Sequence, residues 1–106
     1  MSFFDMFKKT DINSGIKEYR EIKGAMLVDV RSVEEYKTGH IPSSHNFPVD
    51  QIKDIARLIP KKEIPVFVYC QSGRRAARAK DKMSAMGYTN VKSIGGIEDY
   101  EGKIIK

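Results

Sequence analysis

The sequence predicts an α/β domain organised around a mainly parallel sheet. Three observations carry that prediction. The run Met26–Val30 is apolar apart from Asp29, as in a strand covered on both faces, and Pro65–Tyr69 is a second, still clearer strand. Segments with apolar residues at helical spacing stand before, between and after these runs. The two kinds of segment alternate along the chain, which is the order that parallel crossover connections require.

Each element has its own justification. A first helix is expected over Ile12–Lys23, where Ile12, Ile16, Tyr19 and Ile22 share a face; Asp11 and Asn13 are candidate caps, and Gly24 ends it. Ser32–Lys37 reads as a short charged turn of helix capped by Ser32. Gly39, Pro42 and Pro48 then mark an irregular loop with a short extended piece at Asn46–Phe47. Asp50 opens a second helical pattern, with Ile52, Ile55, Ala56 and Ile59 on one face and Pro60 as its stop. Arg74–Met86 is the clearest helix: Ala76, Ala79, Met83 and Met86 face a core, and Gly87 stands where a left-handed cap belongs. Val91–Ile94 is the last strand, ended by Gly95 and Gly96. There is no repeat, low-complexity stretch or linker, so residues 1–106 are expected to form one domain.

Composition narrows the function. A chain of 106 residues, 41% hydrophobic and 31% charged, has core enough to fold without staples. No apolar run approaches the roughly 20 residues of a membrane span, so no membrane association is expected. Met1–Lys9 is aromatic but carries Asp5 in its middle and lacks a small-residue cleavage site. It is therefore not read as a signal peptide, and a cytoplasmic setting is expected. Phe3, Phe4 and Phe7 fit either a short edge strand or an exposed patch for a partner. The net charge of +5 favours anionic partners. One cysteine excludes an internal disulfide, and no His/Asp/Glu spacing resembles a metal site, so neither metal nor cofactor is expected.

The stretch Tyr69-Cys70-Gln71-Ser72-Gly73-Arg74-Arg75-Ala76 carries the chemistry. A strand delivers a cysteine to its carboxyl end, a short loop turns, and a helix starts at once. Ligands of open parallel sheets bind at that end. A helix start offers open N–H groups and the positive end of a dipole, and Gly73 lets the loop curl so that several N–H groups converge. A thiol there has its thiolate favoured. Arg74, Arg75 and Arg78 add charge that attracts an anion. The alternative, an inert cysteine beside a solvated basic helix, fits poorly with a loop rich in arginine and glycine. Two reaction classes use such a cradle, sulfur transfer and phosphate-ester hydrolysis. The loop from Cys70 to Arg75 has six residues, and a phosphate group needs a wider ring of donors than a single sulfur, so its length favours sulfur.

Cys70-Gln71-Ser72-Gly73-Arg74-Arg75 resembles the Cys-x-x-Gly-x-Arg loop of single-domain rhodaneses. Asp29-Val30-Arg31, Glu34-Glu35-Tyr36, Gly39-His40-Ile41-Pro42 and Asn46-Phe47-Pro48 are similar to that family's upstream signature, and Gly87-Tyr88, Val91 and Gly95-Gly96-Ile97 to its closing segment. The resemblance runs over about residues 12–100 in the expected order. Phosphatases and arsenate reductases of the same fold are expected to have a loop one residue longer. Tyr100 stands where the family often has tryptophan, and His45 where a small residue is usual.

The resemblance implies a parallel sheet of four to five strands with helices on both faces. It implies that Cys70 takes sulfane sulfur from a small anionic donor such as thiosulfate and holds it as a covalent persulfide. The backbone of Gln71, Ser72, Gly73, Arg74 and Arg75 would cradle the outer sulfur, and Arg75 would help to bind the donor. The acceptor would be a thiol, cyanide or a protein. Asp29, Arg31 and His40 would be supporting residues, His40 holding the Gly39–Pro42 turn rather than acting as an acid or base. Arg31 is expected to pair with Glu34 or Glu35. Two other functions remain open: a sulfur-relay module loaded only by a protein partner, and a phosphatase or arsenate reductase. A monomer is expected. Nucleic acid is not an expected partner, because the basic residues cluster at the anion site without interleaved aromatics.

Overall fold

The computed structural model describes residues 11–106. The Phe3, Phe4 and Phe7 segment lies outside them. Helix α1, Ile12–Glu21, starts at Asp11, whose carboxylate accepts the Ser14 N–H at 2.9 Å. Asn13, the other candidate cap, instead ties α1 to the C-terminal segment, donating to the Asp99 carbonyl and accepting the Glu101 N–H. The helix stops short of Lys23. Ile22 is extended and the Ala25 N–H returns to the Ile22 carbonyl, so the positive φ of Gly24 serves a tight turn into the sheet instead of a helix cap.

Four parallel strands follow among the described residues: β1 (Met26–Asp29), β2 (His45–Asn46), β3 (Val66–Cys70) and β4 (Val91–Gly96). Their order in the sheet is β2-β1-β3-β4, which places β1 and β3 at its centre. Successive side chains of the central strands point to opposite faces. Val28, Val66, Val68 and Cys70 pack with Val49, Ile52, Ala76, Ala79 and Met83 on one side. Leu27, Phe67 and Tyr69 pack with Ile12, Ile16, Ile41 and Ile94 on the other. Both faces are thus covered, α1 lying on one and helix α3 (Arg74–Ala85) on the other.

Two expectations are corrected. The Asp50–Ile59 pattern forms a 3₁₀ helix, Val49–Arg57. Its buried residues Val49, Ile52 and Ile55 recur every third position, which matches three residues per turn, and Ala56 is left exposed. The glycines expected to end β4 lie inside it: after a register shift, Gly96 pairs with Cys70. Helix α2, Val33–Thr38, is capped by Ser32 as expected, and Glu35 completes a capping box with it by exchanging bonds. No described helix is long and apolar enough to cross a membrane.

Candidate active site

Cys70 is the last residue of β3, and its side chain faces the α3 layer without exposure to solvent. Gly73 adopts φ +107° at the N-cap of α3, a left-handed conformation that favours glycine. That turn aims amide groups back at the strand end. The Gly73 N–H reaches the Cys70 Sγ at 3.0 Å and the Ala76 N–H at 3.4 Å. The N–H groups of Ser72, Arg74 and Arg75 have no acceptor among the described residues. Two donors thus converge on one buried sulfur, with three open N–H groups in the same loop, at the positive end of a helix with no acid in its first turn.

Gly96 determines where this loop sits, a role its sequence position did not reveal. A Cβ on Gly96 would lie 2.2 Å from the Gln71 carbonyl oxygen and 2.7 Å from the Ser72 Cα. Only a residue without a side chain lets β4 approach the loop so closely. The Glu98 N–H then holds the same Gln71 carbonyl at 3.2 Å. The signal available in the sequence is the Gly95-Gly96 pair, which reads there as a strand end and as part of the family's closing segment.

The charged residues separate into paired and unpaired groups. Arg75 makes two parallel bonds to Glu35, Nη1 to Oε1 at 2.7 Å and Nη2 to Oε2 at 2.9 Å. The Arg75 hydrogen bonds, helped by those from Ser32, hold the Glu35 carboxyl down at about 2 against the opposing effect of burial. Arg74 and Arg78 are exposed and form no ion pair among the described residues.

Arg31 does not pair with Glu34 or Glu35. It folds back on Asp29, donating from its backbone N–H, Nε and Nη2 at 2.7–3.1 Å. Its place nearby in sequence predicts that Glu35 serves Arg31; the fold instead brings it the Arg75 guanidinium. Both Asp29 and Arg31 are buried. Burial works against the Arg31 charge, but the bonds and charge of Asp29 outweigh it and raise the guanidinium above its ordinary range. The same guanidinium donates to the Gly39 carbonyl at 2.7 Å and to the Gln71 side-chain oxygen at 3.4 Å. These two residues therefore brace the loops around the site and do not touch the sulfur.

His40 stacks on Tyr36, ring centroids 3.6 Å apart, with its Nδ1 2.9 Å from the Tyr36 carbonyl. Its backbone bridges to Ile105. These contacts hold the turn after α2, and the imidazole makes no hydrogen bond to the cysteine loop. His45 is exposed on β2. Gln71, Ser72 and Arg74 are exposed around the loop, while Gly73 and Arg75 are partly covered.

The Rhodanese-like domain family matches residues 13–103. The chain is 41% identical over 73 residues to the thiosulfate sulfurtransferase PspE of Escherichia coli strain K12, covering 68% of this chain and 70% of that protein. It is 33% identical over 108 aligned positions to a putative mitochondrial thiosulfate sulfurtransferase of Schizosaccharomyces pombe, covering 91% of this chain and 74% of the other. Among solved structures, a rhodanese with anions from E. coli superposes with a TM-score of 0.73 at 37% identity, covering 77% of this chain and 98% of that one.

Proposed function

The chain belongs to the rhodanese-like domain family, and from that premise we propose that it is a sulfurtransferase carrying sulfur as a persulfide on Cys70. The observation that most supports this reading is the pair of amide bonds to the Cys70 Sγ, from Gly73 at 3.0 Å and Ala76 at 3.4 Å. Preorganised donors and a helix dipole stabilise negative charge on sulfur, in the attacking thiolate and in the persulfide anion that replaces it.

The transfer runs in two steps. The Cys70 thiolate attacks the outer sulfur of an anionic donor such as thiosulfate. A new S–S bond forms to Cys70, the donor's S–S bond breaks, and sulfite leaves with the bonding electron pair. The open N–H groups of Ser72, Arg74 and Arg75 hold the transferred sulfur. A thiophilic acceptor (cyanide in the test tube, a small thiol or a protein thiol otherwise) then attacks that outer sulfur, and Cys70 returns as thiolate. Neither step transfers a proton when Cys70 and a thiol acceptor both react as thiolates. That fits a site in which His40 is bound to Tyr36 and Ile105 rather than to the loop.

The test is to incubate the reduced protein with thiosulfate and record its intact mass without reductant. A gain of one sulfur atom, reversed by cyanide, is the expected result. No gain on a demonstrably free thiol would reject loading by a small donor; saturable transfer from a partner persulfide would then identify a protein-fed relay.

The glycine contact gives a second expected result. Gly96→Ala pushes a methyl group into the Gln71 carbonyl, so the loop must shift by most of an ångström. Misplacement on that scale costs on the order of 10²-fold in rate. Single-turnover sulfur uptake by the variant checks this, and an unchanged rate would show that the loop tolerates the displacement.

A further inference from the structure

Resting on the reading of Cys70 as a sulfur carrier, we propose that Glu35 determines which donor charge the site selects. It neutralises Arg75 and leaves the attraction of anions to Arg74 and Arg78. In the sequence these three arginines all add positive charge at the start of α3. The fold separates them.

The Arg75 guanidinium is engaged at both ends by the two oxygens of Glu35, at 2.7 and 2.9 Å, across 40 residues of sequence. A bidentate fork of this kind is planar and presents no net charge to a third group. Glu35 is itself held in place by its own helix. Its Oε1 accepts the Ser32 N–H at 3.1 Å, and its N–H donates to the Ser32 hydroxyl at 3.2 Å. The acid is therefore fixed by a capping box on α2 and reaches across to α3. With its carboxyl held down at about 2, it stays ionised at any ordinary assay pH.

Arg74 and Arg78 stand one turn apart on α3 and have no such partner. Unpaired cations at a helix N-terminus oppose the dipole, and like charges at i and i+4 repel. The first turn of the helix carries no acid to offset this, and its one acid, Asp81, forms no ion pair with either arginine. Among the arginines of α3, these two are therefore the ones whose charge no ion pair cancels, beside the open amides of the loop.

One positive charge fewer weakens the attraction of a dianion twice as much as that of a monoanion. Glu35 accordingly shifts the site away from doubly charged donors such as thiosulfate. It favours donors bearing a single negative charge, of which a persulfide anion is the biological example.

The test measures kcat/KM with thiosulfate, a dianion, and with methanethiosulfonate, a monoanion. The proteins are the wild type, Glu35→Gln and the double variant Glu35→Gln/Arg75→Gln. Glutamine keeps an oxygen for the Ser32 N–H and removes the charge, together with the one hydrogen bond that Oε2 accepts from Arg75. Glu35→Gln is expected to raise the thiosulfate value about tenfold and the monoanion value about threefold, with the gain shrinking as salt is added. The double variant restores the neutral pair and should return the ratio between donors to the wild-type value. A purely structural role for Glu35 would lower both donors by one factor and leave their ratio alone. That outcome, or a ratio unchanged in Glu35→Gln, overturns the proposal while sulfur transfer by Cys70 stands. If the wild type takes sulfur from neither donor, loading by small anionic donors is rejected and this inference with it, while a protein-fed relay is tested separately by transfer from a partner persulfide.

Discussion

Cys70→Ser is expected to abolish sulfur uptake and turnover while leaving the fold in place. The serine oxygen occupies nearly the same position and accepts the same Gly73 and Ala76 amides, so no buried donor loses its partner. The stability cost should stay within about 1–2 kcal/mol. The chemistry has no such substitute. An alcohol is not ionised where a thiol is, and its oxygen cannot carry a sulfane sulfur as a stable intermediate. Intact mass after thiosulfate treatment should show no added sulfur, and thiocyanate formation from cyanide should fall to the uncatalysed background. A melting curve close to the wild type's establishes that the loss is chemical. Serine variant turnover above about one per cent of wild type would reject covalent transfer through Cys70.

Arg31→Met is expected to produce the largest loss of stability of any single change at the site, about 3–5 kcal/mol. The Asp29 side chain has no exposure and that of Arg31 only 3%. Removing the guanidinium leaves a buried carboxylate with a single remaining bond, from the Arg31 backbone N–H, and also strips the Gly39 carbonyl of its donor. For a domain of this size, a loss on that scale lowers Tm by roughly 12 °C or more. Equilibrium denaturation of the two proteins measures it. The double variant Asp29→Leu/Arg31→Met should be more stable than Arg31→Met alone, because no uncompensated charge remains. A loss below about 1 kcal/mol in the single variant would mean that water or another group compensates Asp29.

Much of the fold was legible in the sequence because its signals are local. Alternation of apolar runs and helical periodicities placed all four described strands and helices α1, α2 and α3 to within a few residues. Ser32 announced its helix cap and Gly87 its positive φ through turn chemistry that acts over three or four residues. Errors came where two local rules gave similar patterns. Ile52, Ile55 and Ile59 satisfy an α-helical stripe, while Val49, Ile52 and Ile55 satisfy a three-residue period, and burial against the sheet favoured the second. Gly24 likewise suits either a helix cap or a tight turn, and the path into β1 required the turn.

The sequence by itself determined the order of elements, the position of Cys70 at a strand end, and the loop and helix that surround it. Each depends on neighbours within a few positions, where backbone geometry and side-chain periodicity are encoded directly. Tertiary structure decided which charges cancel and which backbones touch. Arg31 chose Asp29 over the acids of α2, Arg75 found Glu35 from 40 positions away, and Gly96 came to lie against Gln71. Such pairings arise only when separate elements pack on the sheet, and they depend on distances of a few tenths of an ångström. No spacing along the chain carries that information, because side chains distant in sequence meet through the packing of whole helices and strands.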